Sequence, residues 1–187
     1  MKNTIRLAII AASMLAAPYA MAEKGMWEMS VAGSIESTTS DVDTGFGTSS
    51  SDSTNTFINV DVGRYFTSRL VGRVNLSVFG NDSGSSESLG TAVGVGVKYY
   101  FADSAKSQWV PFVQGGFNVV AVDNTSAGTS TSFGGVGMVG GGGVSYFITE
   151  EVSADAALQL FYNTLTSSDF DMTQSGSRVL FGLTARY

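Results

Sequence analysis

The chain has 187 residues with 16 acids against 10 bases, a net charge of −6, and neither Cys nor His. Those absences exclude disulfide stapling, Ser-His-Asp and Cys-His nucleophiles and conventional zinc ligation, so no enzyme activity, cofactor or metal site is expected. Basic residues are not clustered, which argues against a nucleic-acid partner, and only 14% of residues are charged, below the ~25% of soluble domains.

In chain order, the first element is an export signal. Lys2 and Arg6 precede the apolar run Leu7 to Ala17, Pro18 breaks it, and Ala20-Met21-Ala22 fits a small-x-small cleavage site. Residues 1–22 therefore read as a signal peptide and 23–187 as one domain. The apolar run is too short to span a bilayer as a helix, and nothing later approaches the ~18 apolar residues that a spanning helix needs.

Eight segments then alternate between apolar and small or polar residues, the period of a strand whose faces meet different surroundings. The first, Met26 to Glu36, carries Trp27, Met29, Val31, Gly33 and Ile35 on its apolar face, and a Ser/Thr/Asp/Gly tract, Ser37 to Thr56, follows as a loop. The second carries Ile58, Val60 and Val62 and ends at Arg64-Tyr65-Phe66 before a tight Thr67-Ser68-Arg69 turn. The third shows Leu70, Gly72, Val74, Leu76 and Val78, with a polar loop Asn81 to Ser88 behind it. The fourth runs from Leu89 through Val93, Val95 and Val97 to Phe101, with a short link at Asp103 to Gln108. The fifth shows Val113, Phe117 and Val119, with Pro111 at its start, and a third polar loop covers Asp123 to Ser132. The sixth carries Val136, Met138, Val144 and Tyr146 and turns at Ile148 to Glu150. The seventh shows Val152, Leu158, Leu160 and Tyr162, a fourth polar loop covers Thr164 to Ser177, and the closing strand shows Val179, Phe181, Leu183, Ala185 and Tyr187.

Energetics decide which face looks inward. The polar face carries Glu28, Asp61, Arg73, Lys98, Asp155 and Arg186, several Asn and Gln, and small residues such as Gly94, Gly96, Gly116, Gly141 and Gly143. Mid-bilayer Arg or Lys costs roughly 2–4 kcal/mol each, so these charges cannot face lipid in a protein of ordinary ~5–15 kcal/mol stability. A narrow eight-stranded interior, by contrast, uses small residues to make room for long polar ones. Aromatics also sort by height. Trp27, Tyr65, Phe66, Tyr99, Phe101, Trp109, Tyr146, Phe147 and Tyr187 lie at the short-turn ends, and Phe57, Phe79, Phe133 and Tyr162 near the long-loop ends. Two such bands are the interfacial girdles of a membrane barrel, here with Trp27, Tyr99, Phe101, Trp109, Tyr146 and Tyr187 as the leading members. Arg64 is the exception, since strict alternation turns it outward unless a bulge shifts the phase. The expected fold is an all-β, eight-stranded antiparallel up-and-down transmembrane barrel with a polar lumen. Pairing Asn163 with Arg178 in the last hairpin would set Asp155 opposite Arg186, with Glu28 reaching Arg186 across the closure.

The segments Val93 to Phe101, Trp109 to Gly116 and Gly143 to Thr149, with the final strand, resemble the eight-stranded outer-membrane β-barrel family of Gram-negative bacteria, the OmpA/OmpX-type small barrels. The resemblance implies an integral outer-membrane protein in contact with lipid and lipopolysaccharide, a monomer, delivered by the barrel assembly machinery. It also implies that Gly182 and Tyr187 form the C-terminal signal read by that machinery, although Ala185 stands where a bulkier residue is common. The literal GxGxxG at Gly135 to Gly140 continues into strand-like sequence rather than a helix, which removes the dinucleotide reading. Asp41-Val42-Asp43-Thr44-Gly45 lacks the closing Glu of a calcium loop. Two function classes remain: a structural or surface-interaction barrel with a plugged lumen, and a narrow channel or binding barrel for small solutes. No loop motif identifies an extracellular partner.

Overall fold

A computed structural model describes residues 25–43, 48–82, 86–102, 107–126, 129–167 and 171–187. The signal peptide and its cleavage site lie outside the described residues. Eight strands, β1 (Trp27–Asp43), β2 (Thr48–Tyr65), β3 (Leu70–Asp82), β4 (Ser86–Tyr100), β5 (Trp109–Ser126), β6 (Thr129–Phe147), β7 (Val152–Thr166) and β8 (Asp171–Arg186), follow one another around a closed barrel. Each is antiparallel to its neighbours, and β8 returns to β1 from Glu28↔Arg186 to Asp43↔Asp171. Beyond that ladder, Trp27 N donates to the Tyr187 carbonyl at 2.8 Å and Tyr187 N to the Trp27 carbonyl at 2.9 Å. Closure leaves no edge, the condition for a β-structure in lipid.

One end of the barrel carries tight turns. Phe66 N donates to Leu70 O at 2.8 Å, while Thr67 Oγ1 accepts from the amides of Arg69 (3.2 Å) and Leu70 (3.0 Å). The β6–β7 turn repeats the device: Ile148 N donates to Val152 O at 2.9 Å, and Thr149 Oγ1 accepts from Glu151 N (3.3 Å) and Val152 N (3.1 Å). A threonine hydroxyl that caps amides in this way fixes a reversal without glycine. We call this the turn end and the opposite one the hairpin end. Pro111 is the third residue of β5 and sits in an unbroken register opposite Val144, so no bulge accompanies it.

At the hairpin end the structure corrects the expected loops. Most of Ser37 to Thr56 is ladder, from Ser37↔Thr54 to Asp43↔Thr48. The tracts Asn81 to Ser88, Asp123 to Ser132 and Thr164 to Ser177 likewise lie mostly within paired strands that reach Asp82↔Glu87, Ser126↔Thr129 and Thr166↔Asp171. Cross-strand hydrogen bonds hold their outer face together: Thr39 to Asp52 at 2.8 Å, Ser132 to Asp123 at 2.6 Å, Thr125 with Ser130 at 3.1 Å, and Ser50 to Asp41. Such directly opposed pairs are the stabilising unit of a sheet.

The apolar face changes side along the strands. From the turn end to mid-barrel it faces outward, with Leu76, Val95, Phe117, Leu158 and Phe181 exposed on the wall. Towards the hairpin end it faces inward, where Val120, Val122, Phe133, Leu165 and Met172 form a buried cluster with Ala92. Phe57 and Phe133, expected in an outer girdle, are inside at 2% and 8% exposure. Tyr65 and Phe147 are inside as well, at the turn end. Alternation already fixed that parity, because Tyr65 shares its face with Asp61, and Phe147 shares its face with Ser145. Arg64 lies outward and exposed, in a register without a bulge. The GxGxxG segment is the interior of β6. Close strand approach explains the inward glycines: a Cβ on Gly96 would lie 2.6 Å from the Gly115 carbonyl, and one on its partner Gly116 2.5 Å from that of Val95.

Candidate functional site in the lumen

Alternation sends Glu28 of β1, Asp61 of β2, Arg73 of β3, Lys98 of β4, Asp155 of β7 and Arg186 of β8 into the barrel, where all six meet other side chains. At the turn end Glu28, 1% exposed, accepts hydrogen bonds on one carboxylate oxygen from Tyr65 (2.8 Å) and Tyr100 (3.1 Å). The two phenol rings stack at 6.3 Å, and the Arg186 guanidinium lies 4.2 Å from the Phe147 ring centre, 4.9 Å from Tyr100 and 5.4 Å from Tyr65. The layer combines charge-assisted hydrogen bonds with cation–π contacts in a water-poor setting, where both strengthen.

Next to it, Lys98 Nζ meets Asp155 at 3.0 Å and lies 4.1 Å from the Phe112 ring centre. Asp155 also accepts from Thr184 (2.7 Å) and Ser153 (2.9 Å). A third group joins Arg73 to Asp61 at 3.5 Å and to Gln114 at 2.7 Å, with Ser30 and Asn59 donating to the same aspartate. These carboxylates and cations are each desolvated, so every partner matters: a pair that loses one member leaves an uncompensated buried charge.

The expected Asp155–Arg186 opposition is overturned. Asn163 pairs with Gln174, not Arg178, so Asp155 faces Gly182 and Arg178 faces Gln159. The cause is the paired Thr164 to Ser177 tract, which carries the hairpin closure to Thr166↔Asp171 and slides β8 by four residues. Arg186 instead sits level with the β6–β7 turn, its amide donating to Glu151 O at 2.8 Å. The Glu28↔Arg186 register across the closure is as expected.

A fourth group escaped the sequence reading. Arg178 donates to Glu36 at 2.9 Å and to Gln159 at 2.6 Å, with Phe57 and Phe161 ring centres 3.6 and 5.2 Å from its guanidinium carbon. Both charges sat at expected strand–loop boundaries. Parity was the available signal, since Glu36 shares its face with Glu28 and Arg178 with Arg186. Between these groups lies a cavity of about 60 Å³ lined by Asp61, Arg73, Lys98, Asn118, Asp155 and Arg178 among others. A smaller one of about 20 Å³ adjoins Glu36 and Phe57 and shares Asn118 and Arg178 with it. Spaces of this size and polarity suit a few ordered waters.

On the outer wall, Trp27, Tyr99, Phe101, Trp109 and Tyr187 are exposed at the turn end, and Tyr146 packs on Trp109 with ring centres 4.7 Å apart. Gly182 faces the lumen, where a Cβ would lie 2.5 Å from the Val31 carbonyl. Among the described residues no group of three or more carboxylates is placed to hold a metal ion.

Direct comparison of the sequence with curated proteins finds no match. Solved structures do match by fold. Neisserial surface protein A superposes with a TM-score of 0.66 at 15% identity, over 86% of this chain and 97% of that one. The N-terminal β-barrel domain of Pseudomonas aeruginosa OprF gives 0.56 at 13% identity over 88% and 98%, and OprG of the same organism 0.57 at 10% over 90% and 99%. At such identities the likeness is one of fold. The family model described as the outer membrane protein beta-barrel domain matches residues 7–184. The chain belongs to that family and is an integral protein of the Gram-negative outer membrane.

Proposed function

We propose that this barrel is a non-enzymatic structural and surface-interaction module whose lumen is plugged, standing as a monomer among lipid and lipopolysaccharide. The carrying observation is the succession of buried groups across the interior, from Glu28–Tyr65–Tyr100–Arg186 through Lys98–Asp155, Asp61–Arg73 and Glu36–Arg178 to the apolar cluster around Leu165. Eight strands enclose a space that side chains fill, and the two lumen cavities among the described residues are of water size. Within the lumen Asp61, Asp155 and Glu36 are each paired with a base. Tight turns belong to the periplasmic side of such barrels and longer hairpins to the outside, so the Ser/Thr/Asp-faced ladders are the surface available for contact. The two backbone bonds between Trp27 and Tyr187 fit an assembly role for the final strand, with Gly182 and Tyr187 as its signal.

Single-channel recording on the refolded protein in planar bilayers tests the reading. A plugged barrel stays silent or flickers. A steady, large conductance would overturn the plug and make the chain a narrow conduit for small solutes.

A further inference from the structure

Among the described Lys and Arg residues in strands, Arg73, Lys98, Arg178 and Arg186 point into the barrel, and Arg64 points out. Its position is built rather than incidental. Arg64 pairs directly with Trp27 on β1, and its guanidinium carbon lies 5.7 Å from that ring's centre. On the other side its partner is Gly72 of β3, and the Phe66 ring covers the space a side chain would take there: a Cβ on Gly72 would come 2.5 Å from Phe66 Cε2. The incoming chain completes the rim. Gly25 adopts φ 99°, a conformation favouring glycine, donates its amide to Tyr65 O at 2.8 Å, and passes beside the Arg64 guanidinium. Trp27 and Phe66 are both exposed on the wall. Among the described residues no carboxylate forms an ion pair with Arg64.

We propose that Arg64, flanked by Trp27 and Phe66, is a binding site for the headgroup of a net-anionic phospholipid in the leaflet at the turn end. A guanidinium presents a planar fork of donors that matches phosphate oxygens, and stacking on an indole orients that fork at little further entropic cost. The site stands at the height of the aromatic band, where headgroups meet hydrocarbon, so the rings contact the glycerol and upper acyl chains while the charge meets the phosphate. Among the described residues no carboxylate neutralises this outward cation, and the lipid supplies the counter-charge. The site is independent of whether the lumen conducts.

The test uses the mature protein in a neutral detergent, titrated separately with phosphatidylglycerol and phosphatidylcholine of equal chain length, with retained lipids counted by native mass spectrometry. One basic side chain against an anionic headgroup should favour phosphatidylglycerol by about fivefold. Arg64→Gln should bring the ratio close to one. Arg69→Gln, which removes an exposed turn arginine that stacks on no ring among the described residues, should leave it unchanged, and heat-modifiable migration verifies that each variant is folded. Equal retention of both lipids by the unmodified protein would overturn the site, and so would equal losses in the two variants, which would indicate diffuse surface charge.

Discussion

The membrane belt and the hairpin zone of this barrel share the same strands yet solve opposite problems. In the belt Leu158 and Phe117 face lipid while Lys98 and Asp155 meet inside at 3.0 Å. A few residues further along, Thr164 and Thr166 face out while Leu165, fully buried, packs with Phe133 and Met172. The backbone ladder does not change between them; the solvent does. Lipid outside forces polarity inward, and water outside reverses it. The hairpin zone is in effect a soluble barrel continued from a membrane one, and each region is held by a different force.

That contrast can be broken at four places. Asp155→Ala strands Lys98, which is 2% exposed, and should cost about 3–5 kcal/mol in urea unfolding of the refolded protein. Asp123→Ala, on the outer face of the hairpin zone, should cost far less, and equal losses would mean that the belt network is not a buried one. Leu165→Ala probes the inverted core and should cost about 2–5 kcal/mol; an unchanged midpoint would show that the hairpin zone is not packed. Leu158→Arg should cost about 2–4 kcal/mol at mid-bilayer, whereas Thr164→Arg on the same face of the same strand should be nearly neutral. Similar refolding yields and stabilities for the two would erase the boundary between the regions. Smallest of all, Thr39→Ala removes one cross-strand hydrogen bond to Asp52 and should cost roughly 0.2–1 kcal/mol, visible as faster amide exchange confined to the β1–β2 hairpin.

The same inversion explains what the sequence makes legible. In the belt, period-two alternation marks every strand and puts Glu28, Asp61, Arg73, Lys98, Asp155 and Arg186 on the face that turns inward, because lipid tolerates no exceptions mid-bilayer. Beyond the belt the signal weakens: Ser, Thr and Asp fill the outer face, and composition there resembles a loop. Reading Thr164 to Ser177 as a loop hid the pairing that sets β8, and with it the true partners of Asp155 and Arg178. Phe57 and Phe133 misled for a related reason. An aromatic near the end of the belt is a girdle residue if its parity is outward and a core residue if inward, and height alone does not distinguish them. Glu36–Arg178 was missed because both charges lie where alternation stops being obvious. Register, which depends on where a hairpin closes, needs the hydrogen-bond ladder itself.

The paired extension of β1 and β2 also sets a reach. Each strand residue adds about 3.3 Å along a strand tilted by roughly 40°, hence about 2.5 Å of height. The stretch from Ser37 to Asp43 therefore raises the top of the ladder by about 18 Å on the strand geometry just given. Asp43 and Thr48 therefore stand at the tip of a stiff paired stalk rather than on a tethered coil. Shortening that hairpin by matched pairs, such as Val42 with Ser49, would lower the tip in even steps without touching the belt. The paired length of β1 and β2 thus sets the height of the hairpin tip.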